Sequence, residues 1–218
     1  MIELVALDMA GTTVQEHGAV YVALREAVEA AGGAPSAEDV RRCMGADKRE
    51  AITELLAHPS PATVDAAFDD FHRRLAAAYR TTPPAPLPGV EKALATLRAA
   101  GVKVALTTGF DRTVLDSLLA VLGWDDTVVD AVVCADDVPA GRPAPYMIFR
   151  AMEATGTRSV DRVLTAGDTV RDLQAGTNAG AAMVVGVLTG GLTAERLGAE
   201  RHTHLLPSVA GIPALLGH

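Results

Sequence analysis

Four short polar clusters in this sequence carry residue types that could do chemistry, and each follows an apolar run. Asp8 ends the run 2–7 and leads into the small-residue turn Ala10-Gly11-Thr12-Thr13. Thr107-Thr108-Gly109 ends the run 102–107, and Gly141-Arg142-Pro143 follows the pair Asp136-Asp137. Gly167-Asp168-Thr169 ends the run 162–166, with Asp172 one helical turn further on. Asp, Thr and Gly are ordinary cap and turn residues, and any one cluster alone reads that way. Together they fit phosphoryl transfer. Asp8 and Asp168 can hold one Mg2+, a hard cation that takes oxygen ligands and keeps several waters. Asp8 then has a second oxygen free to attack phosphorus. Thr107 and Arg142 can bind the non-bridging oxygens, the arginine through a bidentate contact. Backbone N–H groups of residues 9–12 and 108–109 can complete the cradle.

For the clusters to meet, the apolar runs must lie side by side in one sheet. The pattern after residue 89 alternates accordingly. Helices are expected at 89–100, 111–122, 145–155 and 170–179, between strands at 102–107, 130–134, 162–166 and 182–187. Alternation of this kind predicts a parallel sheet covered by helices, with ligands bound beyond the carboxyl ends of the strands. A short strand at 203–206 and a helix at 208–216 are expected to close the unit. Between residues 17 and 80 there is no convincing strand. Helices are expected at 17–31, 48–57 and 61–80, with Ser36 capping a further one. TTPPAPLPG at 81–89 reads as a stiff, extended connector. The expected organisation is an α/β core over 1–15 and 87–218, interrupted by an all-helical insert over 16–86.

Composition bounds the partners. The 218 residues carry a net charge of −8, with no long basic run and only 4% aromatic residues. Neither a phosphate-backbone surface nor a stacking platform for single strands is expected, so nucleic acid is excluded as the main partner. No stretch approaches a membrane span, and the chain opens directly on a strand with no basic leader. Cys43 and Cys134 form no CxxC pattern, which predicts a reduced, cytoplasmic protein without a zinc site.

The order LDMAGTT (7–13), ALTTGF (105–110), AGRPAP (140–145) and AGDTVRDLQAGTNAG (166–180) resembles the haloacid dehalogenase superfamily of aspartate-nucleophile phosphotransferases. The resemblance covers nearly the whole chain. It implies a Rossmann-like parallel sheet, with the helical insert as a type 1 cap. Two positions narrow it. Ala10 stands where most phosphatase members carry an Asp acid, and Arg142 stands where most carry Lys. Both are features of the phosphonatase (phosphonoacetaldehyde hydrolase) family, as are DDVPAGRP (136–143) and VGVLTG (185–190). The resemblance implies that Asp8 is the nucleophile. It also implies that the Ala10 carbonyl and Asp168 bind Mg2+, with Asp172 supporting the metal's waters. Thr12, Met44, Thr108, Gly109 and Arg142 are expected to contact phosphate or substrate. A homodimer formed through the cap is a further expectation.

The same family uses a cap lysine as a Schiff base in a Met-Gly-x-x-Lys context, and this chain has Met44-Gly45-Ala46-Asp47-Lys48. Most lysines are solvated helix residues. Lys48, however, is one of only three lysines beside sixteen arginines, and arginine cannot form an imine. A helix over 44–57 would put Met44, Ala51, Ile52 and Leu55 on the Lys48 face. Desolvation there would lower the amine's pKa and make it nucleophilic. Ala51 and Phe110 stand where the family has His and Tyr. The expected reaction is hydrolysis of the C–P bond of a small oxo-phosphonate, with Asp8, Lys48, Thr107 and Arg142 as the catalytic set. The enzymatic alternative is a phosphate-monoester hydrolase, which would need an acid other than residue 10. A receiver-like phospho-acceptor module fits less well, because Asp8 ends the first strand. A dinucleotide-binding domain lacks its GxGxxG after that strand.

Overall fold

The computed structural model describes residues 1–218. Strand β1 (Leu4–Asp8) is entirely buried and is followed by the short strand β2 (Val14–Gln15). Four helices come next: α1 (Ala19–Ala30), α2 (Ala37–Arg42), α3 (Lys48–Leu56) and α4 (Pro61–Thr81). The chain returns through β3 (Ala85–Pro86), α5 (Val90–Ala99), β4 (Lys103–Thr107), α6 (Arg112–Leu122) and β5 (Ala131–Val133). It ends with α7 (Tyr146–Thr155), β6 (Val163–Gly167), α8 (Val170–Ala179), β7 (Met183–Val187), α9 (Ala194–Gly198), β8 (His204–Leu206) and α10 (Ile212–Leu215).

Six strands form one parallel sheet in the order β5-β4-β1-β6-β7-β8. This is the expected Rossmann-like α/β fold. The central strands are near-continuous apolar runs because helices cover both faces. The order puts β1 between β4 and β6. Asp8 is in register with Thr107, and Leu7 with Ala166, so Asp168 lies just past the neighbouring strand end. The chemistry-bearing residues therefore collect at one edge because the chain order of the strands differs from their spatial order.

The insert is helical, as its period predicts. Ser60 caps α4 through the Thr63 amide, and Pro61 occupies the first turn, where its missing N–H costs nothing. Ala67, Phe68, Phe71, Leu75 and Tyr79 are buried along that helix and face Leu24 and Val28 of α1 within a hydrophobic cluster that continues into the sheet domain. Each large side chain buried in this way contributes about 1.5–3 kcal/mol.

Three local features differ from the sequence reading. The Pro-rich connector is tied down. Ala85 and Pro86 pair antiparallel with Gln15 and Val14, so the two strands leading into and out of the insert are joined. The helix expected at 48–57 starts at Lys48 as read, but the extension back to 44 that would put Met44 on the Lys48 face is absent. Gly45, at φ 75°, interrupts the chain, and the Asp47 carboxylate caps the new helix through the Glu50 amide. Met44 is therefore not one turn below Lys48 on a helix. The C-terminal helix read over 208–216 is a 3-10 turn at Val209–Gly211 followed by a single α turn. No helix is long and apolar enough to cross a membrane.

Candidate active site

Arg142 is the hub of the site. Its guanidinium is 4% exposed. Nη1 donates to Asp8 Oδ1 at 2.6 Å and reaches Asp172 Oδ1 at 2.8 Å, while Nη2 donates to the Thr107 hydroxyl at 2.6 Å. Burial opposes its charge, but Asp172 and Asp8 hold it firmly protonated. Arg171 Nη1 donates to the Arg142 carbonyl at 3.0 Å and fixes the loop from behind. The loop after β1 is held by the Thr13 hydroxyl, which donates to the Asp8 carbonyl at 3.0 Å. Asp8 Oδ1 is thus engaged by Arg142, and no side chain donates to Oδ2.

Asp8, Asp168 and Asp172 are all buried and present ligand oxygens within 4.8 Å of one another. Thr12 is fully buried and donates to Asp168 Oδ1 at 2.8 Å. Thr169 caps α8, and its hydroxyl and amide both donate to Asp172 Oδ2. Burial, then Asp8 and Asp172, push the Asp168 carboxyl well above the usual carboxylate range. Burial pushes Asp172 up to about 6 in spite of Arg142, with Asp8 adding to the rise. Such crowding is costly for three anions and favourable once a cation joins them. The surroundings fit a small hard cation. The donor set is all oxygen. The loops around Asp168 are pared to backbone: a Cβ on Gly190 would fall 1.8 Å from Asp168 Oδ2, and one on Gly11 2.7 Å from it.

From the insert, Lys48 enters the same space. It is 4% exposed, its Nζ donates to the Ala46 carbonyl at 2.7 Å, and it lies 5.6 Å from the Phe110 ring centroid. Burial lowers its pKa to about 8, against the pull of Asp47 and Asp8, with Arg142 lowering it further and Cys43 raising it. About one amine in ten is then neutral at pH 7, compared with about one in three thousand for an ordinary lysine.

Asp8, Lys48, Arg142, Ala10, Thr108 and Gly109 line one cavity, together with Tyr21, Val20, Gly45, Phe110 and Thr169. Its volume is about 20 Å³, room for roughly one water. The insert sits this close because residue 109 is glycine. A Cβ there would lie 2.7 Å from the Ala46 carbonyl oxygen and 3.2 Å from that of Gly45. Gly109→Ala is therefore expected to push the 45–48 segment outward and lower kcat/KM by roughly 10²-fold, the usual effect of a 1 Å misplacement. Thermal melting and steady-state kinetics together check this. Unchanged turnover would show that closure to this distance is not needed.

Among the residues singled out in the sequence, Thr107, Asp168 and Asp172 lie beside that cavity without lining it, joined to it through Arg142 and the carboxylate cluster, and Thr12 and Met44 also stand outside it. Thr12 braces Asp168. Met44, half-buried, lines a separate cavity of about 540 Å³ with Arg41, Arg42 and Arg171. Two residues at the site were not anticipated. Glu16, pushed up by burial, accepts from the Gly18 and Val20 amides and fixes the start of α1. Tyr21, on the first turn of α1, faces the carboxylates. Burial, then Asp168, Asp8, Glu16 and Asp172, push its phenol well above the ordinary range. An acid just before an amphipathic helix is a readable cap signal, whereas nothing local marks Tyr21.

Residues 2–180 match the haloacid dehalogenase-like hydrolase family. The chain belongs to this family. Within the haloacid dehalogenase-like hydrolases, it is 33% identical over 216 residues to the phosphonoacetaldehyde hydrolase of Bacillus cereus, a match covering 90% of this chain and 81% of that protein. It is 34% identical over 227 residues to the enzyme of the same name from Bacteroides fragilis, covering 95% and 83%. A phosphonoacetaldehyde hydrolase-like protein from Oleispira antarctica has the same fold at a TM-score of 0.86 and 22% identity, covering 99% of this chain and 91% of that one. A haloacid dehalogenase-like hydrolase from Bacteroides fragilis superimposes at 0.83 with 18% identity, covering 97% and 100%.

Proposed function

We propose that this hydrolase cleaves the C–P bond of phosphonoacetaldehyde or a related 2-oxoalkylphosphonate, with Lys48 as Schiff base and Asp8 as nucleophile. The observation that carries the reading is the buried, pKa-lowered Lys48 amine in the same cavity as Asp8. The curated relatives' names agree with it. Ala10 lines that cavity, so no carboxylic acid at this position faces the leaving group. An ester oxygen leaving as alkoxide needs such an acid. A carbon leaving group conjugated to a protonated imine does not.

The Lys48 amine adds to the substrate carbonyl, and loss of water gives the protonated imine. Asp8 Oδ2 attacks phosphorus in line while the C–P electron pair moves into the imine, yielding an aspartyl phosphate and an enamine. Arg142 and Thr107 steady the phosphonate oxygens, and backbone N–H groups at 108–109 add to the cradle. Water then cleaves the acyl phosphate. Protonation of the enamine at carbon and hydrolysis of the imine free Lys48. Mg2+ held by Asp8, Asp168 and the Ala10 carbonyl, with Asp172 behind it, would supply the positive charge that draws in the phosphonate dianion. EDTA is expected to lower turnover at least about 10²-fold, with Mg2+ restoring it; full activity in metal-free buffer would contradict this role.

The cavity is too small for any substrate of this class, so residues 16–86 act as a cap that lifts from the core of 1–15 and 87–218 to load and closes to exclude water. The paired segments at Val14–Gln15 and Ala85–Pro86 are the natural pivot. The reading is tested by assaying phosphate release from phosphonoacetaldehyde and from p-nitrophenyl phosphate side by side. Strong preference for the phosphonate supports it, and ordinary turnover of the ester alone overturns it.

A further inference from the structure

Tyr21 is an unassigned polar group in the catalytic cavity. It comes from the first turn of α1, is half-buried, and shares the cavity lining with Lys48 and Asp8. Its hydroxyl makes no hydrogen bond within the chain. The other donors around the cavity are largely committed. Arg142 holds Asp8, Asp172 and Thr107, and the Thr169 hydroxyl donates to Asp172. Thr108 lies at the sheet edge with the phosphonate cradle, its oxygen taken by the Phe110 amide. With no partner in the chain and Tyr21 only half-buried, its hydroxyl is free to donate to whatever occupies the cavity.

Tyr21 and Lys48 share a second property: both belong to the insert, whereas Asp8, Thr107, Arg142 and Asp168 belong to the sheet domain. The two halves of the site therefore carry different chemistry. The sheet edge faces phosphorus with carboxylates, a guanidinium and backbone amides. The insert brings an amine and a neutral hydroxyl, the groups suited to a carbonyl.

We propose that Tyr21 is a catalytic residue of the carbonyl half of the reaction, its hydroxyl donating a hydrogen bond to the substrate's carbonyl oxygen while Lys48 adds and while that oxygen departs as water. This rests on the Schiff-base reading above. The balance of the step is closed without consuming the phenol. The N–C bond forms as the C=O π pair moves to oxygen, and the C–O bond breaks as the nitrogen lone pair forms C=N. Two of the three protons of the Lys48 ammonium leave on the water, and the third stays on the imine nitrogen. Tyr21 stabilises the negative charge that develops on oxygen between these events, and it ends as it began. A donor aimed at such an oxygen is worth about 10²-fold in rate.

The experiment uses the Mg2+-loaded enzyme and acetaldehyde, which has the carbonyl but no phosphorus. Borohydride trapping on Lys48 is followed over time in the wild type and in Tyr21→Phe, and tungstate affinity is measured in both. The expected result is trapping slowed roughly 10–100-fold in the variant, with tungstate affinity and melting temperature unchanged. Trapping at the wild-type rate overturns the proposal. So does an equal loss of trapping and of tungstate affinity, because the hydroxyl would then be supporting the site as a whole. If the wild type itself does not trap on Lys48, the Schiff-base reading fails, and it fails separately from any difference between the two proteins.

Discussion

Lys48→Arg is expected to lower phosphate release from phosphonoacetaldehyde by about 10⁴-fold or more, because the guanidinium stays charged and cannot add to a carbonyl. The longer side chain must also fit a cavity of about 20 Å³, so Lys48→Met is the companion variant. It should be equally inactive yet more stable than the wild type. A pKa of about 8 in the folded chain, set chiefly by burial, against an ordinary value near 10.5 means that the charged amine opposes folding by roughly 3 kcal/mol. The sign follows from proton binding. Between pH 8 and 10.5 the unfolded chain holds more protons, so wild-type stability should rise with pH across that window, and the advantage of Lys48→Met should shrink. Below pH 8 the advantage is complete. Turnover limited by imine formation should climb as pH rises toward 8 and level off above it. Asp47, Asp8, Arg142 and Cys43 are the charged or titratable groups acting on the amine. Equilibrium denaturation from pH 6 to 10 and a pH–rate profile check both statements. A variant less stable than the wild type at pH 7 would mean that the amine is not desolvated as described.

Asp8→Asn is the second large effect, again about 10⁴-fold or more in phosphate release, since the amide has no nucleophilic oxygen. Its consequences differ from those at Lys48. The amide can still face Arg142, which keeps Asp172 and Thr107 as partners, so the fold should persist. The carbonyl half of the reaction remains competent. The variant should accumulate the imine from phosphonoacetaldehyde and trap with borohydride, while releasing no phosphate. Loss of trapping along with loss of phosphate release would show that the two halves are not separable.

The sheet edge was legible from the sequence because parallel strands make it so. Asp8, Thr107 and Asp168 each follow an apolar run, and any arrangement that makes those runs neighbours brings their ends together. Arg142 could be assigned to the site by its cluster, but not its double grip on Asp8 and Asp172, which depends on the loop path between β5 and α7. The helix start at Lys48 is legible in the sequence, but the apolar spacing that continues back to Met44 does not extend it, because Gly45 at positive φ and the Asp47 cap decide where the helix starts. The pairing of Val14–Gln15 with Ala85–Pro86 was hidden for another reason: two-residue strands carry no periodicity. Tyr21 had no local signature at all. Its place in the site comes from the packing of α1 against α3 and α4 and the seating of that insert on the sheet edge, long-range contacts, and in the sequence it reads as one more residue of an amphipathic helix.

In the proposed reaction one lysine of the insert joins covalently to a carbonyl substrate above an aspartate nucleophile. Mass spectrometry of the Mg2+-loaded enzyme treated with borohydride in the presence of phosphonoacetaldehyde tests it most directly. Inactivation is expected, together with a reduced two-carbon adduct on the peptide carrying Lys48 that is absent from Lys48→Arg. Steady phosphate release from phosphonoacetaldehyde with no adduct on Lys48, or undiminished release by Lys48→Arg, would contradict it.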